Sequence, residues 1–387
     1  MIINGERALA YVVTVDEIKP IEGYDRVEYA RTNGWWVVVS KSYNLKVGDK
    51  CIYFEIDSKV PETDERFKFL ESKHYKIKTQ KMCKVISQGL LMPLSHFPEL
   101  KNAAVNTDVT KQLGVKYYVA GDNKRKKNND PDAKYKSMSA RHPKLFKSKP
   151  FKWLMKRMWG KKLLFLFFGK KADKPLEFPS FIKKTDEERV ENQPWRVGDG
   201  KDYVLTEKLD GTSCTYVLKR IRKNKYDFMV CSRNRRIANE NAKTYHDHNI
   251  YWNLALKYDI ETHLKEFLAC NPDLDWACIQ GEGVGSVQGN PLKLKEDDLY
   301  LFNFITSSTG RYSSELGKKI VSVWGMKWVP ILGTGKTQDN MEDLKAFADG
   351  KSAVNPNVNR EGIVYRSLDG SDSFKNVSRK YLLKSKT

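Results

Sequence analysis

The chain has 387 residues, of which 69 are Lys or Arg and 48 Asp or Glu, for a net charge of +21. That length carries two or three domains with proper cores, and the charge favours polyanionic partners without naming a reaction. Six scattered cysteines without a Cys-x-x-Cys pair indicate neither a zinc site nor a disulfide framework, and Met1-Ile2-Ile3-Asn4-Gly5-Glu6 is no secretory leader, so a reducing, intracellular (cytoplasmic) setting is expected.

Residues 1 to 118 contain short strand-like runs: Tyr11-Val12-Val13, Trp35-Trp36-Val37-Val38-Val39 and Cys51-Ile52-Tyr53-Phe54-Glu55-Ile56. Turn signals at Asn33-Gly34 and Gly48-Asp49 divide them. About six strands at this spacing predict a small barrel, for which the oligonucleotide-binding (OB) barrel is the natural candidate.

Residues 119 to 175 read as a linker. Positions 121 to 175 hold eighteen Lys or Arg against four Asp or Glu, a local +14 of the total +21. Lys124-Arg125-Lys126-Lys127-Asn128-Asn129 has the composition of a disordered linker. Further on, Phe151, Trp153, Leu154, Met158 and Trp159 alternate with lysines. Such a segment suits stacking and phosphate contacts on a nucleic acid, packing on a neighbouring domain, or a membrane surface. The run Leu163 to Phe168 is far too short to span a bilayer.

From residue 176 on, Glu207-Lys208-Leu209-Asp210-Gly211 is the most informative stretch. The flanking run Tyr203 to Leu218 is rich in β-branched and aromatic residues and predicts strand, tight turn, strand. A free lysine titrates near 10.4 and is no nucleophile at neutral pH. A carboxylate beside it stabilises the ammonium further, so the pair makes chemical sense when Asp210 holds a divalent cation that reverses the local field. Taken alone, the pentapeptide is equally readable as a surface lysine and aspartate flanking a hairpin turn. His246-Asp247-His248 reads as a metal-binding pair or as solvent-facing histidines.

Further segments follow in order: Cys231-Ser232-Arg233-Asn234, Gln280-Gly281-Glu282-Gly283, Leu299 to Phe304, Glu361-Gly362-Ile363-Val364-Tyr365 and Ser373-Phe374-Lys375. With the pentapeptide, these resemble the six motifs of the covalent nucleotidyltransferases, the superfamily of ATP-dependent polynucleotide ligases and mRNA capping enzymes. The order of barrel before core, with Leu45 to Phe54, Phe181 to Arg189 and Val287-Gln288-Gly289-Asn290-Pro291, resembles one family of ATP-dependent RNA ligases. Only twelve residues follow Lys375, so the additional domain is expected at the N-terminal end.

The resemblance implies an α+β fold, an OB-like barrel (1–118), the basic linker (119–175) and a nucleotidyltransferase (ATP-grasp-like) ligase core of antiparallel sheets and helices (176–387). It implies Lys208 as the residue that carries AMP, Asp210, Glu282 and Glu361 as holders of Mg²⁺ or Mn²⁺, and Lys375 at the α-phosphate. Glu207, Arg233 and Phe302 would contact the nucleotide, Phe302 by stacking on adenine, and Arg189 the ATP triphosphate or an RNA phosphate. Relatives often carry two lysines one residue apart in the last motif, whereas Lys375-Asn376-Val377 has one. The implied activity is ATP-dependent joining of 3′-hydroxyl and 5′-phosphate RNA ends, at nicks in duplex RNA, by a monomer without a membrane span. The alternatives are a capping-type guanylyltransferase using GTP, and an RNA-binding protein of the same fold without catalysis.

Overall fold

Strands form in the N-terminal segment because their apolar side chains alternate between two cores. β1 (Ala10–Thr14), β5 (Lys50–Phe54) and β6 (Leu90–Pro93) make one antiparallel three-stranded sheet, and β2 (Glu17–Ile21), β3 (Tyr24–Thr32) and β4 (Trp35–Ser40) another. Tyr11, Val13, Cys51, Tyr53 and Leu91 enter a cluster shared with Ala30, Trp35, Val37 and Val39 of the second sheet. Val12, Ile52, Phe54 and Met92 enter another, filled by Phe67, Leu70 and Phe97. The Asn33-Gly34 turn joins β3 to β4, with Asn33 in the left-handed region at φ 51°.

These features come from a computed structural model that describes residues 1–3, 6–118, 176–222, 225–244, 246 and 248–384. The basic segment expected at 119–175 and Asp247 of the His-Asp-His run lie outside the described residues. Residues 1–115 and 175–387 belong to one compact unit. Among the described residues no helix is long and apolar enough to cross a membrane.

The core has two sheets. The first runs β7 (Glu188–Arg189), β18 (Ser373–Val377), β17 (Gly362–Ser367), β8 (Tyr203–Lys208), β16 (Ile331–Gly335). The second runs β11 (Arg236–Ile237), β10 (Lys225–Ser232), β9 (Thr212–Arg222), β12 (Trp276–Val284), β13 (Asp298–Thr306), β14 (Gly310–Arg311), with β15 (Lys327–Trp328) also on β13. Pairing is antiparallel except for β7 with β18 and β15 with β13. Helices α1 (Ile250–Lys257), α2 (Ile260–Cys270) and α3 (Ser314–Val323) contribute to the apolar cluster on one face of the second sheet. α4 (Met341–Phe347) places Leu344 against the first.

One expectation needs refinement. Strand, turn and strand flank Gly211 as predicted, but they are no hairpin: β8 pairs with β16 and β17, whereas β9 pairs with β10 and β12. Leu209-Asp210-Gly211 therefore crosses from one sheet to the other. The crossing is tight, since a Cβ at residue 211 would run into the Gly283 carbonyl oxygen of β12; only glycine lets the two backbones approach so closely.

The barrel is seated on the core through polar groups as well as apolar ones. Asn192 Oδ1 accepts from Tyr11 Oη (3.0 Å) and Trp35 Nε1 (2.6 Å), and its Nδ2 donates to Glu55 (3.1 Å) and Glu188 (2.5 Å). Gly34 N–H donates to Glu191 O at 2.7 Å, where an added Cβ would lie 2.6 Å from the Glu191 Cα. Core residues Val377 and Leu382 sit inside the barrel's own apolar cluster.

Candidate active site

Lys208 is the last residue of β8, and the antiparallel register sets it opposite Gly362, the neighbour of Glu361. Its Nζ donates to Glu361 Oε2 at 2.6 Å. Glu282 arrives from the other sheet, opposite Ser213 on β9. Burial alone would lower the amine's pKa, but Glu361, Glu282 and Asp210 outweigh it and the net shift is upward. The carboxylates respond in the same sense: burial first, then Glu361 and Asp210, push Glu282 up to about 8, and burial with Asp210 raises Glu361. Three acids share one lysine, and the amine is held as an ammonium ion.

This arrangement suits a divalent cation on chemical grounds. The excess of carboxylate oxygen is the hard donor set that Mg²⁺ and Mn²⁺ prefer, and Glu282 has no hydrogen-bond partner among the described residues. Also among the described residues, no three His, Cys, Asp or Glu side chains converge as a ready-made ligand shell. An ion held by Asp210, Glu282 and Glu361 would keep much of its own water.

The cavity beside Lys208 has a cationic wall. Lys375 and Arg233 both line it, and both are bound by Asp186, at 3.1 and 2.5 Å. Burial would raise Asp186, yet Lys375 and Arg233 hold it well below the usual carboxylate range. Burial pushes Lys375 down to about 8, opposed by Asp186 and assisted by Arg189, Arg7 and Lys208. Glu187 next door accepts from Ser373 Oγ at 2.5 Å and pairs with Arg311 and Arg366. Asp186 and Glu187 belong to none of the six motif segments. The signal was there in the acidic run Asp186-Glu187-Glu188 just ahead of a core rich in cations.

The apolar end is built by Phe302, Val329 and Val364. Phe302 is half-buried and held by the Arg366 guanidinium, 5.5 Å from its ring centroid. Arg366 in turn donates to Asn303 (2.6 Å), and Asn303 to Gln280 (2.8 Å), a buried chain that ties the two sheets together. Glu207 lines the same cavity: its Oε2 accepts from Ala353 N–H at 2.8 Å, whereas its Oε1 is buried without a hydrogen-bond partner among the described residues. Burial raises its pKa.

Arg189 stands apart from this set. Its β7 strand runs beside Phe374 and Lys375, but its side chain is buried, 3.7 Å from Asp57 of the barrel and over the Trp35 ring. It lines a smaller cavity at the barrel–core junction, with Arg7, Glu55 and Lys375. His248 binds Asp297 through Nε2 at 2.5 Å.

Comparison with known proteins places these features. Residues 9–94 match an OB-fold domain model and residues 201–386 the RNA ligase model. A comparison with curated protein sequences finds no match. Among solved structures, a point mutant of Naegleria gruberi RNA ligase with ATP and Mn is 30% identical, with a TM-score of 0.74 and 98% of each chain covered. The same organism's ligase with pyrophosphate is 29% identical, with a TM-score of 0.73, 97% of this chain and 98% of that one being covered. The likeness thus runs along nearly the whole length, barrel and core alike, and the chain belongs to the RNA ligase family.

Proposed function

We propose that the protein is an ATP-dependent RNA ligase in which Lys208 carries AMP and 3′-hydroxyl and 5′-phosphate ends are joined, with nicked duplex RNA as substrate. The observation that carries this reading is the Lys208 amine set among Asp210, Glu282 and Glu361 beside a cavity walled by Lys375 and Arg233. The Naegleria relative's complexes with ATP and Mn, and with AMP and Mn, support the same cofactors here.

In the first step the Lys208 Nζ loses its proton and attacks the α-phosphorus; the N–P bond forms as the bond to pyrophosphate breaks. A Mg²⁺ or Mn²⁺ held by Asp210, Glu282 and Glu361 would lower the proton affinity of the amine and offset phosphate charge. Lys375 and Arg233 then exchange Asp186 for phosphate oxygens, supplying positive charge where negative charge develops. Phe302 stacks on the base, and Glu207 Oε1 offers an acceptor to the exocyclic amine of adenine. In the second step a 5′-phosphate oxygen attacks the same phosphorus and Lys208 leaves. In the third, a 3′-hydroxyl attacks the 5′-phosphorus and AMP leaves. All three are in-line displacements at phosphorus.

Residues 176–387 are assigned to this chemistry, and the barrel (1–118) with the basic segment (119–175) to engaging RNA. The test is incubation with α-labelled ATP, divalent metal and protein, resolved on a denaturing gel, followed by a nicked RNA duplex. Label that is acid-stable, released by hydroxylamine and passed to RNA supports the reading. Labelling from GTP in place of ATP favours the capping-type alternative, and no labelling from either favours the binding protein.

A further inference from the structure

The short helix that ends the described chain, α5 (Arg379–Lys384), touches both the barrel and the nucleophile motif. Tyr381 Oη donates to Asp210 Oδ2 at 2.5 Å. Its neighbours in the chain face elsewhere. Leu382 lies in the barrel's apolar cluster with Val377, and Arg379 donates to Gln88 of the barrel at 3.3 Å while bonding Glu342 on α4. Ser378 starts the turn: its Oγ accepts from Tyr381 N–H (3.0 Å) and donates to Asp349 (2.6 Å), and its N–H donates to the Glu361 carbonyl (2.8 Å). Four residues, 378 to 382 less Lys380, thus hold the backbone of one acid of the site, the carboxylate of another and the barrel.

We propose that Tyr381 is a positioning residue for lysine adenylylation, acting through Asp210. Asp210 lies beyond the end of β8, in the turn that crosses between sheets, so no strand ladder fixes its carboxylate. Among the described residues, Tyr381 is its only hydrogen-bonding side chain. With Oδ2 engaged, the plane of the carboxylate is set and Oδ1 is presented in one orientation rather than many. A hydroxyl donor suits this task, because it orients the acid without neutralising its charge. Since α5 is also seated in the barrel, the orientation of Asp210 depends on the barrel being docked.

The inference rests on the proposed role of Asp210 in holding the divalent ion, and the experiment separates the two. Wild type, Tyr381→Phe and Asp210→Ala are compared for the rate of lysyl-AMP formation against Mn²⁺ concentration, and for melting temperature with and without Mn²⁺ in the absence of nucleotide. Tyr381→Phe keeps the ring and removes only the hydroxyl. Its metal-free melting temperature is expected within about 2 °C of wild type, while the half-saturating Mn²⁺, read from the rate and from any Mn²⁺-induced rise in melting, increases about tenfold. Excess Mn²⁺ should restore most of the rate. A Tyr381→Phe enzyme with wild-type Mn²⁺ dependence overturns the proposal, as does a loss that follows a lowered melting temperature and does not respond to Mn²⁺. If Asp210→Ala is labelled like wild type, it is the reading of Asp210 that fails.

Discussion

Two clusters of buried charge, some distance apart in role, answer to the same burial in opposite ways. At the barrel–core junction, burial raises Glu55, but the Met1 amine, Arg7 and Arg189 outweigh it and hold the acid down at about 2. Glu191 is likewise lowered, against its burial, by Lys345 and Arg189. In the cavity, Glu282 and Glu361 are raised, because Lys208 is one cation among three acids. Low polarity magnifies whichever sign is in excess. The junction's cations and acids hold two parts together; around the Lys208 amine the carboxylates are in excess, a balance that suits a divalent cation.

The largest expected effect tests the cavity side. Lys208→Ala should lose lysyl-AMP formation by more than about 10³-fold while the protein remains folded, measured by labelling and melting. Equal labelling of both proteins would remove Lys208 from the chemistry. Next, Asp210→Ala, Glu282→Ala and Glu361→Ala should each slow adenylylation by about 10²-fold.

Stability then separates the two clusters. Glu55→Gln leaves Arg7 and Arg189 short of a carboxylate and should cost about 3 kcal/mol in urea unfolding. Glu282→Gln removes one of three mutually repelling acids, so its unfolding free energy should stay at or above that of wild type. A Glu282→Gln protein as destabilised as Glu55→Gln would break the contrast.

The pH dependence runs in opposite directions. Glu55 has a folded pKa near 2 against 4.5 for the free group, so its contribution is complete above pH 4.5 and is lost as pH falls towards 2. The gap between wild type and Glu55→Gln should therefore close between about pH 5 and pH 2. Glu282, near 8, binds a proton below that value and, in its proposed role, would release it on accepting a metal. Half-saturating Mg²⁺ for adenylylation should then fall as pH rises from 7 to 8, by up to about tenfold. A requirement independent of pH would show that Glu282 is already ionised.

The parts of this site that were legible in the sequence are those whose chemistry is carried by short segments. Lys208, Asp210, Glu282, Glu361 and Phe302 each announce themselves by residue type and neighbours, and their side chains gather around one cavity or one amine. The barrel strands were legible for a similar reason, as their period of two is local. What could not be read depends on pairing between distant segments. Asp186 reaches Lys375 because β7 runs parallel to β18, and Tyr381 reaches Asp210 across 171 residues of chain. Arg189 was legible as a functional type, but its neighbours are barrel residues, and nothing in its own segment says which side of β7 the barrel occupies.

The crossing at Gly211 means that Lys208 and its acids do not share one frame. Glu361 borders β17, next to β8 in the first sheet, while Glu282 belongs to β12 of the second. A small rocking of one sheet against the other would alter the spacing of Lys208 from Glu282 while leaving its pairing with Glu361 intact. The amine's proton affinity would thereby be coupled to a mechanical coordinate, and anything that wedges or clamps the cleft, including a base stacked on Phe302 as proposed, would act on Lys208 without touching it.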